Sequence, residues 1–387
     1  MEETNKILIS CIRAALRGES VDCDVEKCIS LAYRHGVLNL LYYAIAKSDS
    51  NQATSENVKE SLKRQTIGAV VREAIQQQKL EEIYRRFEAS KIRCVALKGS
   101  VIKSLYPKRE MRYMSDLDIL IDATKADIAH GHMLEMGCTA VNYNCGDTDA
   151  YRCAQGLNFE IKRTLAPEHF NERTKLFLEN ILSYAQPMEG YRYVCALPNE
   201  EHYAYILCHI VKHMLNGGVG VRPIMDVWIC KKQMQFDSEK LAQLLEKLKL
   251  RELANRVEHL ADVWFGDAAA TPMDDELGEY ILSSGSFGTE EHRVADRMIK
   301  GEHGKSKFTY MWSRFFLPYS TMRNYYPVLR KWAILLPLFW IWRAIYALLF
   351  RRSKLKEEVG AVSDTNKELL QNRLDFYRRC GINTEEK

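Results

Sequence analysis

VALKGSVIKSLYPKREMRYMSDLDILI, residues 95–121, is the stretch that sets the fold. The apolar run from Ile92 to Leu97 predicts a short buried strand. Lys98, Gly99 and Ser100 follow at once, and Val101 to Tyr106 predicts an amphipathic helix that Pro107 closes. A charged loop leads to Ser115, and Asp116 to Ile121 predicts a second strand. Side chains alternate across a strand, so Asp116 and Asp118 share one face, a few ångströms apart. Carboxylates that close repel each other, and a shared proton or a bound cation relieves them. A Gly-Ser turn opening a helix offers backbone N–H groups and a positive dipole end to a phosphate. Oxygen ligands for a hard cation beside a phosphate cradle suit metal-assisted transfer from a nucleotide.

Gly99-Ser100, a spacer and then Asp116-x-Asp118 on a strand resembles the signature of nucleotidyltransferases that share the DNA polymerase β-like catalytic fold. The wording LKGS…LYPKREMRYMSDLDILI is most similar to the bacterial group of uncharacterised nucleotidyltransferases. The core of the motif covers Leu97 to Ile121, and weaker matches extend to about Asp226. The resemblance implies an α+β fold with a small mixed β-sheet core enclosed by N- and C-terminal helical regions. It also implies a third acid on a neighbouring strand. Residues 156–162 alternate as a strand should, and Glu160 is the best match for that acid. Related sequences commonly carry His two residues later, where this chain has Lys162. That cation could meet a phosphate, or Glu160 and Lys162 could be a solvated strand face.

Composition limits the alternatives. A chain of 387 residues suits two or three domains. A net charge of +4, with no stripe of Lys and Arg interleaved with aromatics, argues against a nucleic-acid partner. The 11 cysteines show no Cys-x-x-Cys pair and no spacing typical of zinc ligands. Residues 1–18 have mixed charge and no apolar signal core, so reduced thiols and a cytoplasmic location are expected.

Four segments follow: a helical region (1–90), the α/β nucleotidyltransferase core (91–165), a helical domain (166–326), and an apolar, basic C-terminal segment with a polar tail (327–387). In the first, Glu56 to Ser90 predicts a long scaffold helix. In the core, Lys125 to Met136 predicts a helix ended by Gly137, and Cys138 to Tyr143 a strand, with a loop around Gly146 after it. In the third, His202, His209 and His213 fall on one predicted helix, and Arg222 and Asp226 on the next. His-x-x-x-His without the glutamate of the zinc-protease motif is a weak metal signal. The segment resembles the one following the core in the same family. His213, Arg222 and Asp226 then read either as substrate contacts or as a buried polar network with Arg222 and Asp226 paired one turn apart. Asp267 to Ser286 reads as a loop.

Trp332 to Trp342 is apolar but only 11 residues long and contains Pro337. Counting past Arg343 extends the run to Phe350, with basic residues at both ends. Tryptophans and flanking Lys/Arg suit peripheral contact with a membrane through Trp332–Phe350. The same run suits broken helices packed on the protein body, and Pro337 and Arg343 favour that over a membrane span.

The expected activity is transfer of a nucleotidyl group from a nucleoside triphosphate to an acceptor hydroxyl, with release of pyrophosphate. Asp116, Asp118 and Glu160 would hold two Mg²⁺ ions, Glu160 serving the acceptor. Gly99 and Ser100 would grip the triphosphate, with Lys98 and Arg112 as nearby cations, though Lys98 could also be an exposed strand end. The acceptor stays open. The competing reading is a nucleotide-binding or membrane-peripheral assembly protein that keeps the fold without turnover.

Overall fold

In the computed structural model, Asp116–Ile121 (β2) pairs in parallel with Asn158–Lys162 (β5), setting Asp118 opposite Glu160 and Asp116 opposite Asn158. Cys94–Ala96 (β1) lies antiparallel on the other side of β2. Thr139–Asn142 (β3), Thr148–Arg152 (β4), Gln186–Pro187 (β6) and Val194–Ala196 (β7) complete a seven-stranded mixed sheet in the order β3-β4-β5-β2-β1-β7-β6. The structure describes residues 2–46, 53–165, 170–286, 288–300 and 306–382.

Period-two alternation divides the sheet into two chemically distinct faces. Leu117, Ile119, Ile121, Phe159 and Ile161 join Leu80, Ile83 and Phe87 of the helix Glu56–Ala89 and Ala129 and Met133 of the helix Ala126–Glu135 in one buried cluster. The opposite face carries Asp116 and Asp118 from β2 and Asn158, Glu160 and Lys162 from β5. The 34-residue helix Glu56–Ala89 also grips the connection between β1 and β2. Glu73 pairs with Arg109 at 2.8 Å, and Gln76 Nε2 donates to the Met114 carbonyl at 3.2 Å. The α+β architecture with helical flanks is thus the one expected from the sequence.

Three local expectations change. β4 occupies part of the stretch read as a loop after Cys138 to Tyr143, and its flanks bring Cys138 and Cys153 together as a disulfide, not as the reduced thiols expected. β6 and β7 interrupt a region read as helical. The Glu88 carboxylate accepts from the N–H groups of Arg192, Tyr193 and Val194 at 2.8–3.1 Å, fixing β7 to the end of the long helix. Within the supposed loop 267–286 lies the helix Pro272–Ser284. Its start is a capping box in which Thr271 accepts from the Asp274 N–H and Asp274 accepts from Thr271, with proline in the first turn.

By contacts the chain forms two units: residues 1–212 with 220–286, and residues 213–219 with 287–385. These cut the chain at places other than the four sequence segments. The second unit centres on Asp296, which accepts from Gly217 N–H at 2.7 Å, Arg373 Nε at 2.7 Å and Tyr377 OH at 2.6 Å. Its helix Leu336–Phe350 corrects the expected break at Pro337, while one face packs on the protein as expected. Pro337 stands in the first turn, where its missing N–H is no loss, so the helix continues for 15 residues. None of the apolar window Ala333–Phe350, with mean hydropathy 1.9, is buried. By length and composition alone that helix could cross a membrane.

Candidate active site

Between β1 and the short helix Gly99–Ile102, the chain turns at Lys98 with φ 53° and ψ −128°. A positive φ is costly for a lysine, and such strain persists where the surroundings over-determine it. The turn brings Lys98 Nζ to within 3.1 Å of the Asp118 carboxylate. Lys162 Nζ approaches the same carboxylate at 3.0 Å and Glu160 Oε2 at 2.5 Å. Glu160 and Asp118 are therefore bridged by one ammonium while a second covers Asp118 from the turn. Burial pushes the Asp118 carboxyl up, but Lys98 and Lys162 more than offset it and leave its pKa below the ordinary value. Asp116, two residues earlier on the same face, accepts from Ser115 Oγ at 2.7 Å.

Gly99 is the residue the turn requires. A Cβ there would lie 2.5 Å from Met114 Sδ and 3.5 Å from Arg112 Cζ. The Ser100 N–H is already used, donating to the Leu97 carbonyl at 3.2 Å, so it does not stand open as expected. The Ser100 hydroxyl is different: it is buried and has no hydrogen-bond partner in the protein. An orphaned hydroxyl beside a strained cationic turn is what a phosphate oxygen would satisfy.

Asp226 joins a buried polar network, but with Arg112 as its partner where Arg222 was expected. The guanidinium pairs in bidentate fashion with Asp226, at 2.6 and 2.7 Å, and its remaining nitrogen donates to the Tyr113 carbonyl at 2.7 Å. Tyr106 OH donates to Asp226 at 2.7 Å. With all three nitrogens engaged and Asp226 buried, the pair forms a strut behind Gly99, the buried polar network that was one of the two readings of Asp226. Arg222 does not pair with Asp226; it donates to the Tyr113 carbonyl at 3.0 Å and lies over the Tyr113 ring. His213 is half-buried on the last turn of the helix Asn199–Met214 and belongs to the second unit.

A cavity of about 350 Å³ is reached by the two lysines that cover Asp118, although Asp116, Asp118 and Glu160 themselves do not line it. Lys98 and Lys162 form one wall, and Tyr205, Cys208, His209 and Lys212 another. Residues 205, 208, 209 and 212 lie at i, i+3, i+4 and i+7, one stripe of the helix Asn199–Met214. That spacing is legible in the sequence, but periodicity alone does not separate a cavity wall from a core-facing stripe. Asn142 and the loop 145–148 close a further side. Burial, then the Lys162 and Lys98 charges, lower the Lys212 pKa. Three lysines, Lys98, Lys162 and Lys212, line the cavity against one carboxylate, Asp147, so it suits a polyanion. Among the described residues no three His, Cys, Asp or Glu side chains are grouped as a ready metal site.

The strand–turn–helix–strand unit thus sets Asp116 and Asp118 beside the Gly99-Ser100 turn, with Glu160 on the adjoining parallel strand. Residues 22–266 match the family described as uncharacterised nucleotidyltransferase, and the chain belongs to that family. Comparison with curated proteins finds no match, and comparison with solved structures finds none.

Proposed function

We propose that the protein transfers a nucleotidyl group from a nucleoside triphosphate to an acceptor hydroxyl. The observation that carries this reading is Asp116, Asp118 and Glu160 on one sheet face, with Lys98 and Lys162 standing between the Asp118–Glu160 pair and a cavity that Lys212 also lines. The acceptor oxygen attacks the α-phosphorus, the bond from that phosphorus to the β-bridging oxygen breaks, and pyrophosphate leaves. Glu160, with 37% of its side chain exposed, takes the acceptor proton on its carboxylate. Lys98 and Lys212 meet the negative charge of the triphosphate and of the departing pyrophosphate. The Ser100 hydroxyl donates to a phosphate oxygen.

Hard carboxylate oxygens on one face, with an orphaned hydroxyl at the adjacent turn, fit a divalent cation such as Mg²⁺. Asp116 and Asp118 would hold it, and bound there it supplies charge neutralisation at the phosphates. The Lys162 ammonium spans Asp118 and Glu160, where the second of the two expected ions would bind.

The same Lys162 bridge favours a second reading, nucleotide binding without turnover, since it neutralises the acid that would accept the proton. Thermal-shift measurements with each NTP, with and without Mg²⁺, test the site first. Ligand at 100 times its dissociation constant stabilises the fold by about 2.7 kcal/mol. Asp116→Asn with Asp118→Asn should abolish that shift, and an unchanged shift would contradict the assignment. Mg-NTP binding without pyrophosphate release against any acceptor would support the second reading.

A further inference from the structure

From residue 306 to residue 356 the sequence holds 10 Lys and Arg and no Asp or Glu. This stretch lies outside the family match, which ends at residue 266. Within it the helix Leu336–Phe350 has two unlike faces. Leu336, Phe339 and Trp340 pack against Leu317, Met322 and Leu329, and Trp340 Nε1 donates to the Leu317 carbonyl at 2.9 Å. Arg343 turns to the same side, where its guanidinium donates to the Arg314 carbonyl at 2.9 Å and the Phe315 carbonyl at 3.1 Å. A cation on the last carbonyls of the helix Lys307–Phe315 is favourably placed against its dipole. The one charge in the middle of the apolar run is thereby drawn off the outer surface.

The exposed side of the helix then carries apolar and aromatic side chains, Tyr346 among them, and no charge. Leu338, Ile341, Trp342, Ile345, Leu348 and Leu349 are all exposed, Leu338 at 61%. Phe308 and Trp312, stacked with centroids 5.9 Å apart, are further exposed rings in the same stretch. Soluble monomers rarely leave so continuous an apolar surface uncovered. Arg330 and Lys331 flank the helix at one end, and Arg351 and Arg352 at the other.

We propose that this face docks on an anionic lipid bilayer, with the helix lying in the plane of the interface. The occupant is chosen by charge. A second copy would bring two basic rims together, whereas anionic headgroups complement them. Tryptophans among the apolar side chains suit the depth of the headgroups. In-plane burial follows from the inner face, which is fixed to the protein by Trp340 and Arg343 and leaves only one side for lipid. The inference does not depend on the proposed transferase activity.

Flotation of the full chain with vesicles is the test. Vesicles of one third phosphatidylglycerol in phosphatidylcholine should carry the protein upward, and phosphatidylcholine alone should bind at least ~10-fold less, given ~1 kcal/mol per basic residue near an anionic surface. Ile341→Glu with Ile345→Glu should abolish binding without altering the melting temperature or the Mg-NTP shift. Arg351→Glu with Arg352→Glu, which leaves the apolar face intact, should weaken binding to anionic vesicles alone. No flotation of the wild-type chain would overturn the proposal. So would a lipid-free dimer that the isoleucine variants dissociate, which would make a second copy the occupant. Protection of the segments before and after the helix on opposite sides of sealed vesicles would show a span and overturn in-plane docking.

Discussion

Replacing Lys162 by methionine asks whether its ammonium stands where a cation belongs. The change removes a positive charge 3.0 Å from Asp118 and 2.5 Å from Glu160. Asp118 keeps Lys98 at 3.1 Å, so it does not become an isolated buried charge. It loses one charge-assisted hydrogen bond, about 1.5–3 kcal/mol. The Glu160 side chain is 37% exposed, and solvent screening limits its share to about 0–1 kcal/mol. Without divalent ions the variant should therefore be less stable by about 1.5–4 kcal/mol. Mg²⁺ should then enter between Asp118 and Glu160, and at 100 times its dissociation constant it returns about 2.7 kcal/mol. Urea unfolding with and without MgCl₂ reads both numbers, and the wild-type midpoint should respond to Mg²⁺ much less than that of Lys162→Met. Adding Glu160→Gln to the variant should remove the rescue. A variant as stable as wild type, or one whose loss Mg²⁺ leaves unchanged, would refute the reasoning.

Glu160→Gln alone should leave the Mg-NTP thermal shift in place and lower pyrophosphate release by about 100-fold, the scale of losing one acid–base group; near-normal turnover would remove Glu160 from the mechanism. Acid should destabilise the first unit before its carboxylates titrate. Burial pushes His35 and His202 down to about 4, so each stays neutral in the fold while it protonates near 6.5 in the unfolded chain. The stability they contribute is complete above pH 6.5 and is lost as pH falls towards 4. By pH 5 the loss is about 2 kcal/mol for each histidine, measurable as a falling melting temperature between pH 7 and 5 that His202→Gln should partly suppress.

Where hydrophobic alternation is strong and motif spacing short, the sequence stated the answer. β2 falls at Asp116–Ile121 as read, and the scaffold helix, read to Ser90, ends at Ala89. The pairing that sets Glu160 beside Asp118 needed only two strands read correctly and a parallel register. β7 was not legible because three residues carry no periodicity, and what holds it is a distant carboxylate, Glu88. The helix Pro272–Ser284 was legible, since Thr271, Pro272 and Asp274 spell its start, but low apolar content led to a loop reading. Arg112 looked like a free cation because its partner, Asp226, lies 114 residues away. No local pattern carries a pair of that range. The C-terminal helix shows the opposite error. Pro337 read as a break, although position within a helix decides its effect, and the first turn accepts it.

Label transfer tests the central claim most directly. Nucleoside triphosphate labelled either at the α-phosphate or at the γ-phosphate is incubated with Mg²⁺, the wild-type protein and a fractionated cell extract as the source of acceptors. Label from the α-position should appear on an acceptor, label from the γ-position should appear only in pyrophosphate, and Asp116→Asn with Asp118→Asn should abolish both. Transfer of the γ-label to the acceptor, or α-label transfer that the double variant leaves intact, would contradict nucleotidyl transfer at this site.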